Sequence, residues 1–274
     1  MLLLVWSIPG YTDSRTSRSF HGGFVFSKHD TTLLNFYMSS PHLQKNPVLL
    51  YGGSMADIQP ISQSPTGALD SLKHDVVMLG AMVVEAMQAA TAALLDTDLE
   101  TGEKVIEGDI AIDALSHSIE EQAYECLASH KLAGEDLRTA VAIIKVVYAL
   151  GRTGDLMINV TKASRHLYPH PLDARLRGLI DRMREQATVQ MRVAIDAFAD
   201  TDPVKASALA DMDDAMDDLQ RDLFRTIFTN TTPDEVGIQR AVQMALVGRF
   251  FERTADHAVS IGERVTYIVE GGRS

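Results

Sequence analysis

LDSLKHDVVMLGAMVVEAMQAATAALLDTD, residues 69–98, is answered 104 residues later by DARLRGLIDRMREQATVQMRVAIDAFADTD, residues 173–202. The shift lays Leu72, Leu79, Met87, Ala90, Ala93 and Asp96-Thr97-Asp98 over Leu176, Met183, Met191, Ala194, Ala197 and Asp200-Thr201-Asp202. Leu72, Val76, Leu79, Met82, Val83, Ala86, Met87 and Ala90 fall at the spacing of one helix face, which predicts a long amphipathic helix. A core stripe that recurs together with the turn that ends it predicts an internal repeat.

The pattern continues outward. Val105, Ile106, Ile110, Ile112, Leu115, Ile119, Ala123 and Leu127 form a second helical series that runs to Ser129-His130, before Gly134 interrupts. A third, from Leu137 through Ile144, Val147, Leu150, Ile158 and Val160, stops at Tyr168-Pro169-His170-Pro171, because proline cannot continue a helix. The shift of 104 also carries Asp109, Asp113, Leu115 and Ile119 onto Asp213, Asp217, Leu219 and Leu223. A shift of 101 carries Arg152-Thr153-Gly154-Asp155 onto Arg253-Thr254-Ala255-Asp256, so the intervening loop has lost three residues. Each unit of about 100 residues reads as three helices with short connections, and short connections favour antiparallel neighbours. The expectation is an all-α protein of two tandem three-helix bundles, six long antiparallel helices related by a pseudo-twofold repeat. Residues 58–168 make the first unit and 169–274 the second, whose last helix ends at Gly271-Gly272.

Residues 1–57 show no sustained period of 3.6 or 2 and are rich in aromatics, so they read as an irregular or disordered N-terminal extension. An upstream start, with Met55 nearer the true one, explains them equally well.

Composition removes several classes of function. Lys and Arg number 25 against 37 Asp and Glu, a formal charge of −12, which repels a phosphate backbone and argues against nucleic acid as a partner. One cysteine, Cys126, cannot form an internal disulfide and sits in an apolar helical pattern, which fits a reducing cytoplasm. No run of 18 consecutive apolar residues suggests a bilayer span, and the opening Met1-Leu2-Leu3-Leu4-Val5-Trp6 lacks the flanks of a signal peptide. Gly-rich phosphate loops, G-x-S-x-G and CxxC are absent, which leaves catalysis little to stand on.

Asp109 with Asp113, and Asp213 with Asp217, stand four apart and share a helix face. Like charges there repel, and aspartate is a mediocre helix former, so the pairing costs stability unless a cation neutralises it. Glu252 with Asp256 repeats the spacing on the last helix. If those helices lie side by side, four oxygen-donor side chains converge, a set suited to Mg, Mn, Ca or iron. In an acidic chain such pairs also arise on solvated faces; recurrence at the repeat-equivalent place favours a site. In the first unit Gly151 stands where the second has Glu252, leaving Asp155, with Asn159 one turn on. Arg152 and Arg253 read as braces for neighbouring carboxylates. His257 points about 100° away from Asp256 around the helix, so it reads as a packed or surface histidine rather than a ligand. A ferritin-like di-metal enzyme also uses paired acids on helices, but no Glu in this chain has a His three residues later. A plain helical scaffold with acidic, solubilising faces is the remaining alternative.

Arg152-Thr153-Gly154-Asp155-Leu156-Met157-Ile158-Asn159 and Phe251-Glu252-Arg253-Thr254-Ala255-Asp256-His257-Ala258-Val259-Ser260-Ile261-Gly262-Glu263 resemble the E-R-x-G-D-x-A-x-N-I-A-E signature of the PhoU family of phosphate-transport regulators. The resemblance covers about residues 66 to 270. It implies two three-helix bundles that bind multinuclear metal clusters, commonly iron and sometimes another divalent ion such as Mn, Mg or Zn. The ligands it implies are Asp109, Asp113 and Asp155 in the first unit, and Asp213, Asp217, Glu252 and Asp256 in the second. It further implies a non-enzymatic cytoplasmic protein, peripheral to the membrane at most, that links the phosphate ABC transporter to a membrane sensor histidine kinase and holds phosphate uptake and starvation signalling down. A homodimer is a further expectation. Gly151, Ala255 and Ser260 depart from the signature.

Overall fold

Six helices carry the chain: α1 Pro65–Asp96, α2 Leu99–Ser129, α3 Gly134–Leu167, α4 Ala174–Asp200, α5 Pro203–Asn230 and α6 Glu235–Glu270. They come from a computed structural model that describes residues 64–168, 172–232 and 234–271, and no strand occurs among them. The N-terminal extension, residues 1–57, and the prolines at 169 and 171 lie outside the described residues.

Each helix starts where the local chemistry demands. Ser64, Asp98, Asp173, Asp202 and Asp234 cap their helices by accepting hydrogen bonds from first-turn amides. Gly134 opens α3 with φ +58, so it begins that helix rather than only interrupting the one before. No side chain caps α3, and Glu135 and Asp136 in its first turn offer negative charge to the exposed amides instead. The duplicated Asp-Thr-Asp turn is the same object twice. Thr97 (φ 55) and Thr201 (φ 53) adopt the left-handed conformation, and Asp98 and Asp202 donate their amides back to Ala93 and Ala197 while capping the next helix. A β-branched residue at positive φ costs about 1–3 kcal/mol, a strain the fold accepts at both places.

Within each repeat the three helices pack on one another, α1 with α2 and α3, and α4 with α5 and α6. Across the repeats, α3 lies against α6 and α1 against α4. Both seams are antiparallel. Arg138 Nε donates to the Ile268 carbonyl at 2.8 Å near one end of the α3–α6 seam, and Thr153 Oγ1 meets His257 Nδ1 at 3.0 Å further along. On the α1–α4 seam Lys73 Nζ donates to Thr201 Oγ1 at 2.7 Å, and Arg177 reaches Leu95 O and Asp96. Gly80 makes the closest approach there: a Cβ at that position would stand 2.5 Å from Ile195 Cδ1. Both seams run continuously with the cores of the two bundles, and the six helices form one compact unit over residues 62–274.

By length and apolar composition α1 alone, among the described residues, matches a membrane span, yet half of it is buried inside the protein. Leu69, Leu72, Val76, Leu79, Val83, Met87 and Leu94 point into the core, each almost wholly buried. Burial of a large apolar side chain stabilises by about 1.5–3 kcal/mol, so this stripe accounts for the composition of α1 within a folded bundle.

Candidate metal centre

The acid pairs sit on neighbouring helices as the repeat predicts. α2 carries Asp109 and Asp113, and α3, packed beside it, carries Asp155. Asp109 is half-buried, and burial raises its proton affinity first, with Asp113 and Asp155 adding to the rise by repulsion. Its Oδ1 lies 3.2 Å from where a Cβ would stand on Gly154, so the carboxylate rests in the space that glycine leaves open. Arg152 Nη1 donates to Asp155 Oδ2 at 2.7 Å, the expected brace. Gly151 faces Ser116 Oγ, whose hydroxyl is buried without a partner.

In the second repeat α5 carries Asp213 and Asp217, and α6 carries Glu252 and Asp256. Burial raises the proton affinity of Asp213, helped by Asp256 and then Asp217. Burial likewise raises that of Glu252, again helped by Asp256 and Asp217. All four therefore share one electrostatic neighbourhood. Glu252 is only 14% exposed; Arg249 donates to its Oε1, and its Oε2 is buried with no partner. The brace for Glu252 is thus Arg249, one turn earlier, rather than Arg253, which forms no ion pair among the described residues.

Oxygen donors, mutual repulsion and an orphaned buried carboxylate oxygen are what a hard cation would relieve, so the second-repeat residues fit one chemically. Among the described residues, no three His, Cys, Asp or Glu side chains gather tightly enough to hold an ion as they stand. Like charges repel one another, and Glu252 is paired with Arg249. Asp113, Asp217 and Asp256 are exposed.

His257 belongs to the seam. It is largely buried, joined to Thr153, and burial lowers its proton affinity, with Arg253 and Arg152 acting in the same direction and Asp256 opposing. Thr153 Oγ1 also donates to Ala149 O at 2.9 Å, which makes the imidazole Nδ1–H the donor to Thr153.

One polar group near the site escaped sequence reasoning. Gln190 on α4 is fully buried beside Asp213, and neither its Nε2 nor its Oε1 has a hydrogen-bond partner, although the amide lies close enough to lower the proton affinity of that carboxylate. The signal was available: Gln190 lies seven residues after Met183, on a face otherwise apolar.

The chain is thus a duplicated three-helix bundle protein, with an acid pair on the second helix of each repeat and acidic side chains on the third. The PhoU domain model matches residues 76–163 and again 180–265, one match in each repeat. The chain belongs to the PhoU family. It is 37% identical over 188 residues to the phosphate-specific transport system accessory protein PhoU homolog 1 of Mycobacterium tuberculosis, covering 68% of this chain and 84% of that one. The PhoU homolog of a Synechocystis strain is 32% identical over 209 residues, 75% of this chain and 91% of the relative. Among solved structures, PhoU from Pseudomonas aeruginosa superposes with a TM-score of 0.72 at 28% identity, covering 76% of this chain and all of that one. The phosphate transport system regulatory protein PhoU from Streptococcus pneumoniae gives 0.70 at 26% identity, covering 77% and 99%. These proteins are named as accessory and regulatory proteins, not as enzymes.

Proposed function

We propose that the chain is a regulator of phosphate-specific transport that acts in the cytoplasm and restrains phosphate uptake and phosphate-starvation signalling when phosphate is plentiful. The observation that carries this reading is the pair of PhoU repeats in one chain, together with a relative named as an accessory protein of that transport system and matched over 84% of its length. Its partners are then the phosphate ABC transporter and a membrane sensor histidine kinase, met from the cytoplasmic face. No helix other than α1 has the length and apolarity of a span among the described residues, and a peripheral mode of association is consistent with α1 serving as a core helix.

The second part of the proposal is that divalent or iron ions bind the acid clusters, more firmly in the second repeat. Asp213, Asp217, Glu252 and Asp256 give four carboxylates there, against Asp109, Asp113 and Asp155 in the first. A bound cation would offset the repulsion that raises the proton affinities of Asp109, Asp213 and Glu252.

Deletion of the gene in its own host tests the regulatory half. Phosphate uptake and starvation genes are expected to become active in high phosphate and to be silenced again by the intact gene. Unchanged uptake and expression on deletion would sink the assignment. Elemental analysis of the purified protein beside an Asp213→Ala, Glu252→Ala variant tests the metal half, with loss of bound metal expected.

A further inference from the structure

We propose that the outward face shared by α3 and α6 docks on an anionic membrane surface, with both helices lying parallel to the bilayer. The contact needs no bound metal.

Packing leaves these two helices one common open side. α3 is covered by α1, α2 and α6, and α6 by α3, α4 and α5, while α1 and α4 pack on each other at the far side. The side chains that α3 and α6 expose therefore share a face two helices wide, roughly 20 Å, and about 50 Å long. Lys145, Tyr148 and Arg152 stand on it from α3, at i, i+3 and i+7, and Val242, Leu246 and Arg253 from α6, at i, i+4 and i+11.

Charge is spread unevenly over the molecule. α3 and α6 together carry nine Lys and Arg against eight Asp and Glu, whereas α2 and α5 carry four against fourteen. In a chain of formal charge −12 the α3–α6 side is thus set apart from its acidic flanks. Its middle, over residues 145–162 and 249–256, exposes Lys145, Arg152, Lys162, Arg249 and Arg253 against Asp155 and Asp256, with Glu252 only 14% exposed. Lys145 and Arg253 form no ion pair among the described residues, so their charge is available to a partner. The acids of the α1–α4 side stand a helix diameter or more behind, about 10 Å, which exceeds the Debye length of about 8 Å at physiological ionic strength.

Apolar side chains lie among these cations. Tyr148 is 68% exposed, Val242 51% and Leu246 44%, and Ile238, at 52%, extends the α6 stripe. On the opposite side Val189 is the one exposed large apolar side chain of α1 and α4 among the described residues. Single exposed apolar groups are ordinary, but a flat face that interleaves them with unpaired cations suits the bilayer interface, where Lys and Arg meet lipid phosphates and apolar groups enter the headgroup layer. An acidic protein segment would match the cations and leave the apolar groups along both helices uncovered.

Flotation of the full-length chain, with chelator present, on vesicles of mixed phosphatidylglycerol and phosphatidylcholine tests this beside vesicles of phosphatidylcholine alone. Binding to the anionic vesicles only is expected, and it should weaken as salt is raised. Lys145→Glu with Arg253→Glu is expected to weaken it at least about tenfold. Arg182→Glu with Arg192→Glu makes the same change in net charge on α4 and should leave most of the binding intact. Trp6 is the only tryptophan, so Tyr148→Trp in a Trp6→Phe chain gives a single reporter, whose emission should shift to the blue on anionic vesicles. No flotation with anionic vesicles would overturn the proposal and leave this face to an acidic protein. Equal losses in the two charge-reversed variants, or full binding by Lys145→Glu with Arg253→Glu, would overturn it too. Thermal unfolding identifies any variant that fails to fold, in which case the reporter decides: an unshifted emission refutes contact at this face.

Discussion

Asp109 and Gly154 are fitted to each other: the carboxylate Oδ1 on α2 lies 3.2 Å from where α3 would carry a Cβ, and Ile112 Cγ2 lies 3.4 Å from the same point. Gly154→Ala gains up to about 1 kcal/mol of helix propensity but drives a methyl group against the carboxylate. The expected result is a near-neutral change in melting temperature with weaker Mn2+ binding in the first repeat, measured in a chain whose second repeat is silenced by Asp213→Ala and Glu252→Ala. Unaltered affinity would show that Asp109 does not need its present position.

Gly151 offers the opposite experiment. Only Ser116 Oγ lies within 4 Å of its added Cβ, at 3.6 Å, so a longer side chain has room. Gly151→Glu is expected to stabilise α3 by about 0.5–1 kcal/mol and to raise the Mn2+ affinity of the first repeat. Calorimetry on the variant with the second repeat silenced reads the gain directly.

Acidity should affect the metal-free protein in an unusual direction. Asp213 and Glu252 hold their protons more tightly folded than unfolded, so their ionisation costs stability as pH rises from the ordinary carboxylate range through their raised values. Below that range the cost is absent. His257, whose proton affinity burial lowers, works in reverse: its contribution is present above its ordinary value and lost as pH falls. With chelator present, Asp213→Asn with Glu252→Gln is therefore expected to melt higher than the parent at pH 7. The difference should shrink as pH falls toward 4. A difference independent of pH would mean that ionisation of these groups has no part in it.

The α1–α4 seam makes a steric prediction. Gly80→Val would place atoms within 2.8 Å of Ile195 Cγ1 as well as 2.5 Å of Cδ1, and overpacking of this kind costs about 1–3 kcal/mol. Ile195→Ala should recover part of that loss when combined with it, because the two side chains compete for one space. Chemical denaturation of the two single variants and the double variant closes the cycle.

Much of this architecture was legible because the chain states it twice. The Asp-Thr-Asp turns fixed the register of the repeat, and apolar spacing then placed α1 and α4 to within a few residues. Gly134 shows the limit of punctuation: a glycine between two helical patterns marks a boundary, while its positive φ, visible only in three dimensions, assigns it to the start of α3. The carboxylates were legible as pairs because i and i+4 share a face, a local property of helices. Gln190 and the Arg249 brace were not, since both depend on which side chains meet across or along packed helices. Repeat logic equated Arg152 with Arg253 and so expected both to brace acids. Glu252 has no counterpart in the first repeat, however, and it pairs with the arginine one turn before it. The meeting of Thr153 with His257 lay beyond local pattern for the same reason: the two residues are 104 apart in the chain.

The antiparallel seams have a mechanical consequence. Sliding α3 along α6 would break Arg138 from Ile268 and Thr153 from His257, and shifting α1 along α4 would lift Gly80 off Ile195. The two halves therefore resist moving like the jaws of a clamp.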